Sequence, residues 1–504
     1  MVSRLLTVRG WSLIAAAGLL PSAGLAAPQP ALADRVQLVE TGLLPITATK
    51  GHLGAHASIA DRMRAYGVEG LSVAVIDGGR IAWAKGYGFA HAGTRRPVTP
   101  ETLFQAASIS KPVTTVGALL LVEHGKVGLD ADVNRYLREW KISANALTAT
   151  HPVTLRTLLD HSSGITDYAG PNYKPGESVP TLLQTLRAHA AEIRVASVPG
   201  KEYRYSGMGF VVLQELMEEV TGKPLATYMQ SAVLAPLGMT HSTFEEPLSR
   251  RWLRFAATGY YAGGEPLPGD YRLGPELAVA GLWTTPSDLA RFIITLQEAY
   301  AGGRCGLLTP EMARQMLSVQ IAYRGLGVVL SGDGDDTRFG HDGFNEGFES
   351  TFAAYVHHGQ GAVVMANSGF SYMLIKEIIA SIARAYRWPH YQATNQWPPT
   401  AKIAQQEVTA MPQDMLSAAA GEYTLGDHTR ITLFARGDRL FLRWPGNGDA
   451  EVFHTPDGSY FCPPLTFWEL GDPRLRFLLD ASGKVQEIIA SYGAATLTRA
   501  LTTP

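Results

Sequence analysis

The order of local sequence patterns predicts an α+β fold: an antiparallel sheet flanked by helices, followed by a small C-terminal all-β, barrel-like domain. Two observations carry that prediction. In the first 390 residues, strand-like alternation stands at both ends and apolar residues recur at helical spacing between them. Beyond a proline-rich stretch the alternation returns and persists to the C-terminus.

The elements follow in order. Leu71-Ser72-Val73-Ala74-Val75-Ile76, a turn at Asp77-Gly78-Gly79 and Ile81-Ala82-Trp83-Ala84 form a β-hairpin signal. The middle is mainly helical: Val113, Val116 and Leu120; Leu155, Leu158 and Leu159 after Thr154; and Leu213, Leu216, Met217 and Val220 before Thr221-Gly222. Thr285-Pro286 and Thr309-Pro310 each place a capping hydroxyl ahead of a proline at the first helical position, so two further helices start there. Strands return from about Tyr323 to Ala366, with a turn at Gly359-Gln360-Gly361, and a helix follows from Met373 to Arg387. The first and last strands are then expected to meet in one sheet within a domain spanning 34–390. Residues 391–415, with Pro398, Pro399 and Pro412, read as a linker, and 416–504 as a small barrel or sandwich. Its strands flank tight turns at Arg436-Gly437-Asp438 and Ala481-Ser482-Gly483.

Composition excludes several classes of function. At 504 residues, 46% hydrophobic and 17% charged, the chain is neither disordered nor collagen-like. With 43 Lys plus Arg against 45 Asp plus Glu it has no global attraction for a polyanion, so no nucleic-acid partner is expected. Residues 1–33 read as a secretory signal: Arg4 and Arg9, an apolar stretch from Trp11 to Leu20, then small residues. Ala31-Leu32-Ala33 is an A-x-A cleavage site and Gly24-Leu25-Ala26 a weaker one; cleavage after Ala33 and after Ala26 both stay open, and either predicts an exported, periplasmic or secreted protein. The apolar stretch is about half the roughly 20 residues that a bilayer requires, so no stable membrane span is expected. Cys305 and Cys462 allow at most one bridge; a disulfide and two packed thiols both remain open.

Chemistry concentrates in one spacing. Ser108-x-x-Lys111 stands at the start of a helical pattern, where residues three apart share a face. A lysine held against a serine hydroxyl can take its proton, which makes the oxygen an acylating nucleophile. Downstream lie Asp160-His161-Ser162-Ser163-Gly164, Tyr203-Arg204-Tyr205-Ser206-Gly207, Gly281-Leu282-Trp283-Thr284-Thr285-Pro286-Ser287-Asp288 and Gly340-His341-Asp342-Gly343-Phe344. With these five motifs, in this order over about 60–390, the chain resembles the serine β-lactamase-like family of class C β-lactamases, DD-carboxypeptidases, D-aminopeptidases and related esterases.

That resemblance implies a β-lactamase/transpeptidase-like fold and a set of roles. Ser108 is the expected nucleophile, Lys111 its proton partner, Tyr205 the group that passes the proton to the leaving group, and His341 the side chain completing the site. Backbone N–H groups of Ser108 and Phe344, the latter following Gly343, are the expected oxyanion hole. Gly207 stands where the family usually has Asn, and His341-Asp342-Gly343 replaces the Lys-Thr-Gly of class C β-lactamases, so efficient β-lactam hydrolysis is not expected. The implied activity is acyl transfer from peptides or amides of D-amino acids, including cell-wall peptides, with carboxylic ester hydrolysis as the alternative and a non-catalytic binding protein as the rival of another class. No metal or organic cofactor is implied.

Other features have plainer readings. His161-Ser162-Ser163-Gly164 reads as a loop ending a helix and shaping the site, outside the catalytic set. His52-x-x-x-His56 has ligand spacing but lacks a glutamate and a clear helix. Asp333, Asp335 and Asp336 read as a polar turn, and His357-His358 as part of a hairpin.

Overall fold

The computed structural model describes residues 31–44, 56–391 apart from 168, 169, 171, 262, 263, 304–306 and 370, and 408–499 apart from 425–429, 444–448, 463–473 and 491–495. Most of the expected signal segment, His52 and Cys305 lie outside these residues.

The N-terminal part supplies nine strands: β1 Gly70–Asp77, β2 Arg80–His91, β3 Arg96–Pro97, β4 Phe104–Gln105, β5 Trp283–Thr284, β6 Val329–Ser331, β7 Arg338–Asn345, β8 Phe348–Tyr355 and β9 Gly361–Ala366. Seven of them form one antiparallel sheet in the order β3-β2-β1-β9-β8-β7-β6, while β4 and β5 pair separately. The expected meeting of early and late strands is the β1–β9 pairing, in which Val73 stands opposite Val364. Both faces of β1 are buried, which is why its sequence is an almost unbroken apolar run. Leu71, Val73 and Val75 enter a core with Leu374, Ile375, Ile378 and Ile382 of the helix Tyr372–Ala385. Ala74 and Ile76 face the larger core, which holds most of the helices between β3 and β6.

The caps read from sequence are made. Thr285 Oγ accepts from Asp288 N–H and Thr309 Oγ from Met312 N–H, each with proline in the first turn. Among the described residues no helix is long and apolar enough to cross a membrane.

The C-terminal region forms eight antiparallel strands: β10 Gly421–Thr424, β11 Arg430–Arg436, β12 Arg439–Arg443, β13 Asp449–His454, β14 Tyr460–Phe461, β15 Arg474–Leu479, β16 Val485–Ala490 and β17 Thr496–Arg499. Each pairs with the next, and β10 pairs with β17, closing a barrel. Its interior is filled by side chains including Tyr423, Leu433, Leu440, Leu442, Val452 and Cys462. The helix Gln413–Ala419, in the stretch read as linker, sends Met415, Leu416 and Ala419 into the same core.

Candidate active site

The turn that carries Ser108 is built from a strained residue. Ala107 has φ +48°, a left-handed conformation that a residue with a Cβ adopts only under constraint, and it precedes Ser108 directly. The turn is held from several sides: Ala106 N–H donates to Leu282 O, Ser350 Oγ donates to Ala106 O, and Ser110 Oγ accepts from Leu282 N–H. Immediately after it, the helix Ser110–Glu123 starts and carries Lys111 on its first turn.

The structure brings Ser108, Lys111 and Tyr205 into direct contact. Lys111 Nζ donates to Ser108 Oγ at 2.8 Å and to Val279 O at 3.2 Å, and Tyr205 Oη lies 3.2 Å from the same Ser108 Oγ. Lys111 is 1% exposed, so its ammonium is held by these oxygens rather than by solvent. Tyr205 arrives on the segment that ends at Ser206, whose hydroxyl caps the helix Gly207–Thr221 by accepting from Gly209 N–H. Gly207 thus serves as the first residue of a helix.

His341 and Gly343 come from β7. The short strand β6 pairs with β7 only across Arg338, Phe339 and Gly340, so among the described strands none continues along that side of β7 beyond Gly340. The Ala107–Ile109 turn packs against β7 instead. The approach is so close at Gly343 that a Cβ there would meet Ala106 O at 2.2 Å and Ser350 Oγ at 2.5 Å. Phe344, next along the strand, is 38% exposed beside the Tyr372 ring.

His341 is buried and uncharged. Its Nδ1 lies 2.6 Å from Asp342 O, and because a carbonyl only accepts, Nδ1 bears the proton and Nε2 keeps a lone pair. Burial, and after it the charges of Arg324 and Lys111, push its pKa down from 6.5 to about 3. His341 therefore does not replace the cation of a Lys-Thr-Gly motif; it presents a neutral acceptor.

Two residues near this cluster were not assigned to the site from sequence. His161, with φ +60°, stacks on Tyr205 at 4.3 Å between ring centroids, with its Nδ1 3.3 Å from Ser206 N. Burial, followed by Arg324 and Lys111, holds it well below the ordinary imidazole range, so it is neutral as well. Arg324 is buried beside Tyr203 and Tyr205. Only the Asp-His-Ser-Ser-Gly run hinted at the first, and no motif marks the second.

The remaining sequence candidates lie apart from this cluster. Asp336 falls in the short helical turn Gly334–Asp336 and pairs with His390 and His358. His56 is exposed. Among the described residues no group of three or more His, Cys, Asp or Glu side chains is placed to hold a metal ion.

Comparison with known proteins extends the geometry. The chain is similar to Penicillin-binding protein 4* of Bacillus subtilis (strain 168), 24% identical over 446 residues that cover 83% of this chain and 94% of that one. In fold it resembles the octameric penicillin-binding protein homologue from Pyrococcus abyssi, with a TM-score of 0.59 and 22% identity over 88% of this chain and 98% of that one. It also resembles the D-amino acid amidase from Ochrobactrum anthropi SV3, with a TM-score of 0.56 and 24% identity over 70% and 99% of the two chains. The family model described as Beta-lactamase matches residues 55–387, which include the whole seven-stranded sheet and every residue of the cluster around Ser108. The chain belongs to the beta-lactamase family of serine hydrolases.

Proposed function

We propose that this is an exported hydrolase acting on amide or peptide bonds of D-amino-acid-containing substrates, cell-wall peptides among them, through an acyl-enzyme at Ser108. The observation that carries the reading is the convergence on one oxygen: Ser108 Oγ lies 2.8 Å from Lys111 Nζ and 3.2 Å from Tyr205 Oη. An activated serine needs a base within hydrogen-bond reach, and here two groups qualify.

In the proposed reaction Ser108 Oγ attacks the carbonyl carbon while its proton passes to the Tyr205–Lys111 pair. The same pair returns the proton to the leaving nitrogen as the C–N bond breaks. Water then attacks the acyl-enzyme by the reverse route and frees Ser108. Backbone N–H groups of Ser108 and Phe344 are proposed to hold the developing oxyanion, with Gly343 allowing the strand to lie against the nucleophile turn. His341 Nε2 offers a hydrogen-bond acceptor to the substrate. Export rests on the signal-like pattern of residues 1–33. The choice of D-amino-acid substrates is supported by the similarity in fold to the D-amino acid amidase and to a beta-lactamase/D-alanine carboxypeptidase from Yersinia pestis.

A second reading, hydrolysis of carboxylic esters, is favoured by Gly207, which presents no side-chain amide to a peptide substrate. The test compares wild type with Ser108→Ala on an activated acyl ester, a D-alanyl peptide and a D-amino acid amide. Loss of about 10,000-fold or more in kcat/KM with an unchanged fold is expected, and a Ser108→Ala variant as active as wild type refutes the acyl-enzyme. Turnover of the ester alone moves the substrate assignment to the second reading.

A further inference from the structure

The site contains an internal cation that no motif announces. Arg324 is 4% exposed, on the segment leading into β6, where it bridges to Ile321 and Val329. Its Nη2 donates to Tyr203 Oη. Its Cζ lies 4.7 Å from the centroid of the Tyr203 ring, 5.3 Å from that of Tyr323 and 5.6 Å from that of Tyr205. It is therefore packed among aromatic rings, one of which belongs to the residue that touches Ser108 Oγ.

The groups around it divide simply. The helix Ser110–Glu123 contributes Lys111; the loop after Leu159 contributes His161; the segment before Gly207 contributes Tyr203 and Tyr205; β7 contributes His341. Asp342, the next residue on β7, is engaged by Lys376 at 2.9 Å, by Thr351 and by Tyr372. Both imidazoles are neutral, and in each Arg324 is the leading charge opposing protonation, ahead of Lys111. The positive charges beside Tyr205 are thus Lys111, which has to gain and lose a proton if it takes part in the transfer, and Arg324, which keeps its charge at every relevant pH.

We propose that Arg324 is a positioning residue for acyl transfer: its fixed charge, in place of one on His341, stabilises the deprotonated form of Tyr205 that accepts the Ser108 proton. The inference rests on the proposed acyl transfer at Ser108. As the Oγ–C bond forms, the Ser108 proton moves to Tyr205 Oη; as the bond to the leaving group breaks, that proton leaves with it. Arg324 makes and breaks no bond. A cation 5.6 Å from the centre of the Tyr205 ring, in a water-poor site, favours the phenolate over the neutral phenol, whereas two uncharged imidazoles provide no such support.

Arg324→Gln and Arg324→Lys test this with two readouts. The first is the pH profile of kcat/KM for an activated acyl ester. With Arg324→Gln the limb on which activity rises with pH should move upward by about one pH unit or more, with a loss of about tenfold or more at neutral pH; Arg324→Lys should restore the limb. The second is the ultraviolet titration of Tyr205, taken as the difference between each protein and the same protein carrying Tyr205→Phe. The Tyr205 signal should titrate later in Arg324→Gln than in wild type or Arg324→Lys. A Gln variant with uniformly scaled activity and an unmoved limb, or an unmoved Tyr205 titration, overturns the proposal and leaves Arg324 a packing residue. Should Arg324→Gln fail to fold by circular dichroism, the neutral Arg324→Met takes its place: a limb and a Tyr205 titration moved upward relative to Arg324→Lys uphold the role of charge, and unmoved ones overturn it. A wild type that turns over none of the activated ester, the D-alanyl peptide and the D-amino acid amide defeats the acyl-transfer reading alone, since the Tyr205 titration needs no substrate.

Discussion

On one side of β7, His341 stands neutral between two cations and an arrangement of tyrosines; its neighbour Asp342 is locked into an ion pair with Lys376, with Thr351 Oγ1 donating at 2.7 Å and Tyr372 Oη at 3.1 Å. Consecutive residues of a strand point to opposite faces, so a single strand divides two tasks. The face toward Ser108 is left electrostatically open, with His341 Nε2 without a partner among the described residues and the charges of Arg324 and Lys111 nearby. The other face is closed: carboxylate, ammonium, hydroxyl and phenol satisfy one another beneath the helix Tyr372–Ala385. The fixed geometry of the second face bears on the first, because Gly343 packs so closely against Ala106 that no Cβ would fit between them.

Breaking the closed face should have the largest effect. Lys376→Met leaves the buried Asp342 carboxylate without its cation and is expected to cost about 3–5 kcal/mol in chemical denaturation. Lys376→Met combined with Asp342→Asn should recover a substantial part of that loss; no recovery would mean that the helix needs Lys376 for packing rather than for charge.

An intermediate effect comes from the open face and depends on pH. The folded-state pKa of His341, about 3, lies below its ordinary 6.5. The unfolded chain therefore binds a proton that the folded chain refuses, and the resulting stability is fully present above pH 6.5 and declines as the pH falls toward 3. His341→Asn should remove that decline, so that its stability difference from wild type shifts by about 2 kcal/mol between pH 7 and pH 5. A pH-independent difference would show that His341 is not held neutral by the fold. The smallest effect belongs to Thr351→Val, which removes one of several hydrogen bonds to Asp342 and should cost about 1 kcal/mol. A loss as large as that of Lys376→Met would show that the hydroxyl, not the ammonium, anchors the carboxylate.

What the sequence disclosed and what it withheld have separate physical origins. The pairing of Ser108 with Lys111 was legible because residues three apart on a helical turn share a face, whereas Tyr205 was named only through the family resemblance; the structure places all three in contact. Thr285 and Thr309 were legible as that pairing was, since a cap is a local hydrogen bond. Arg324 and His161 were not assigned. The first acts through contacts between elements far apart in the chain, and the second enters the site from a left-handed turn that its residue type does not advertise. The neutrality of His341 was equally hidden, because burial and two distant cations decide it. In the C-terminal region alternation announced strands, but the choice between a barrel and a sandwich waited on the pairing of β10 with β17.

That closure has a consequence in time. During synthesis the seven-stranded sheet has all of its strands once Ala366 has emerged, and the helix that covers its Leu71–Val73–Val75 face ends at Ala385. The barrel, by contrast, lacks the partner that seals β10 until Thr496–Arg499 has been made. A premature stop codon between β16 and β17 would spare the complete set of sheet strands and leave the barrel with two open edges, β10 and β16, exposed to neighbouring chains. The codons for β17 therefore carry protection against aggregation as much as they carry structure.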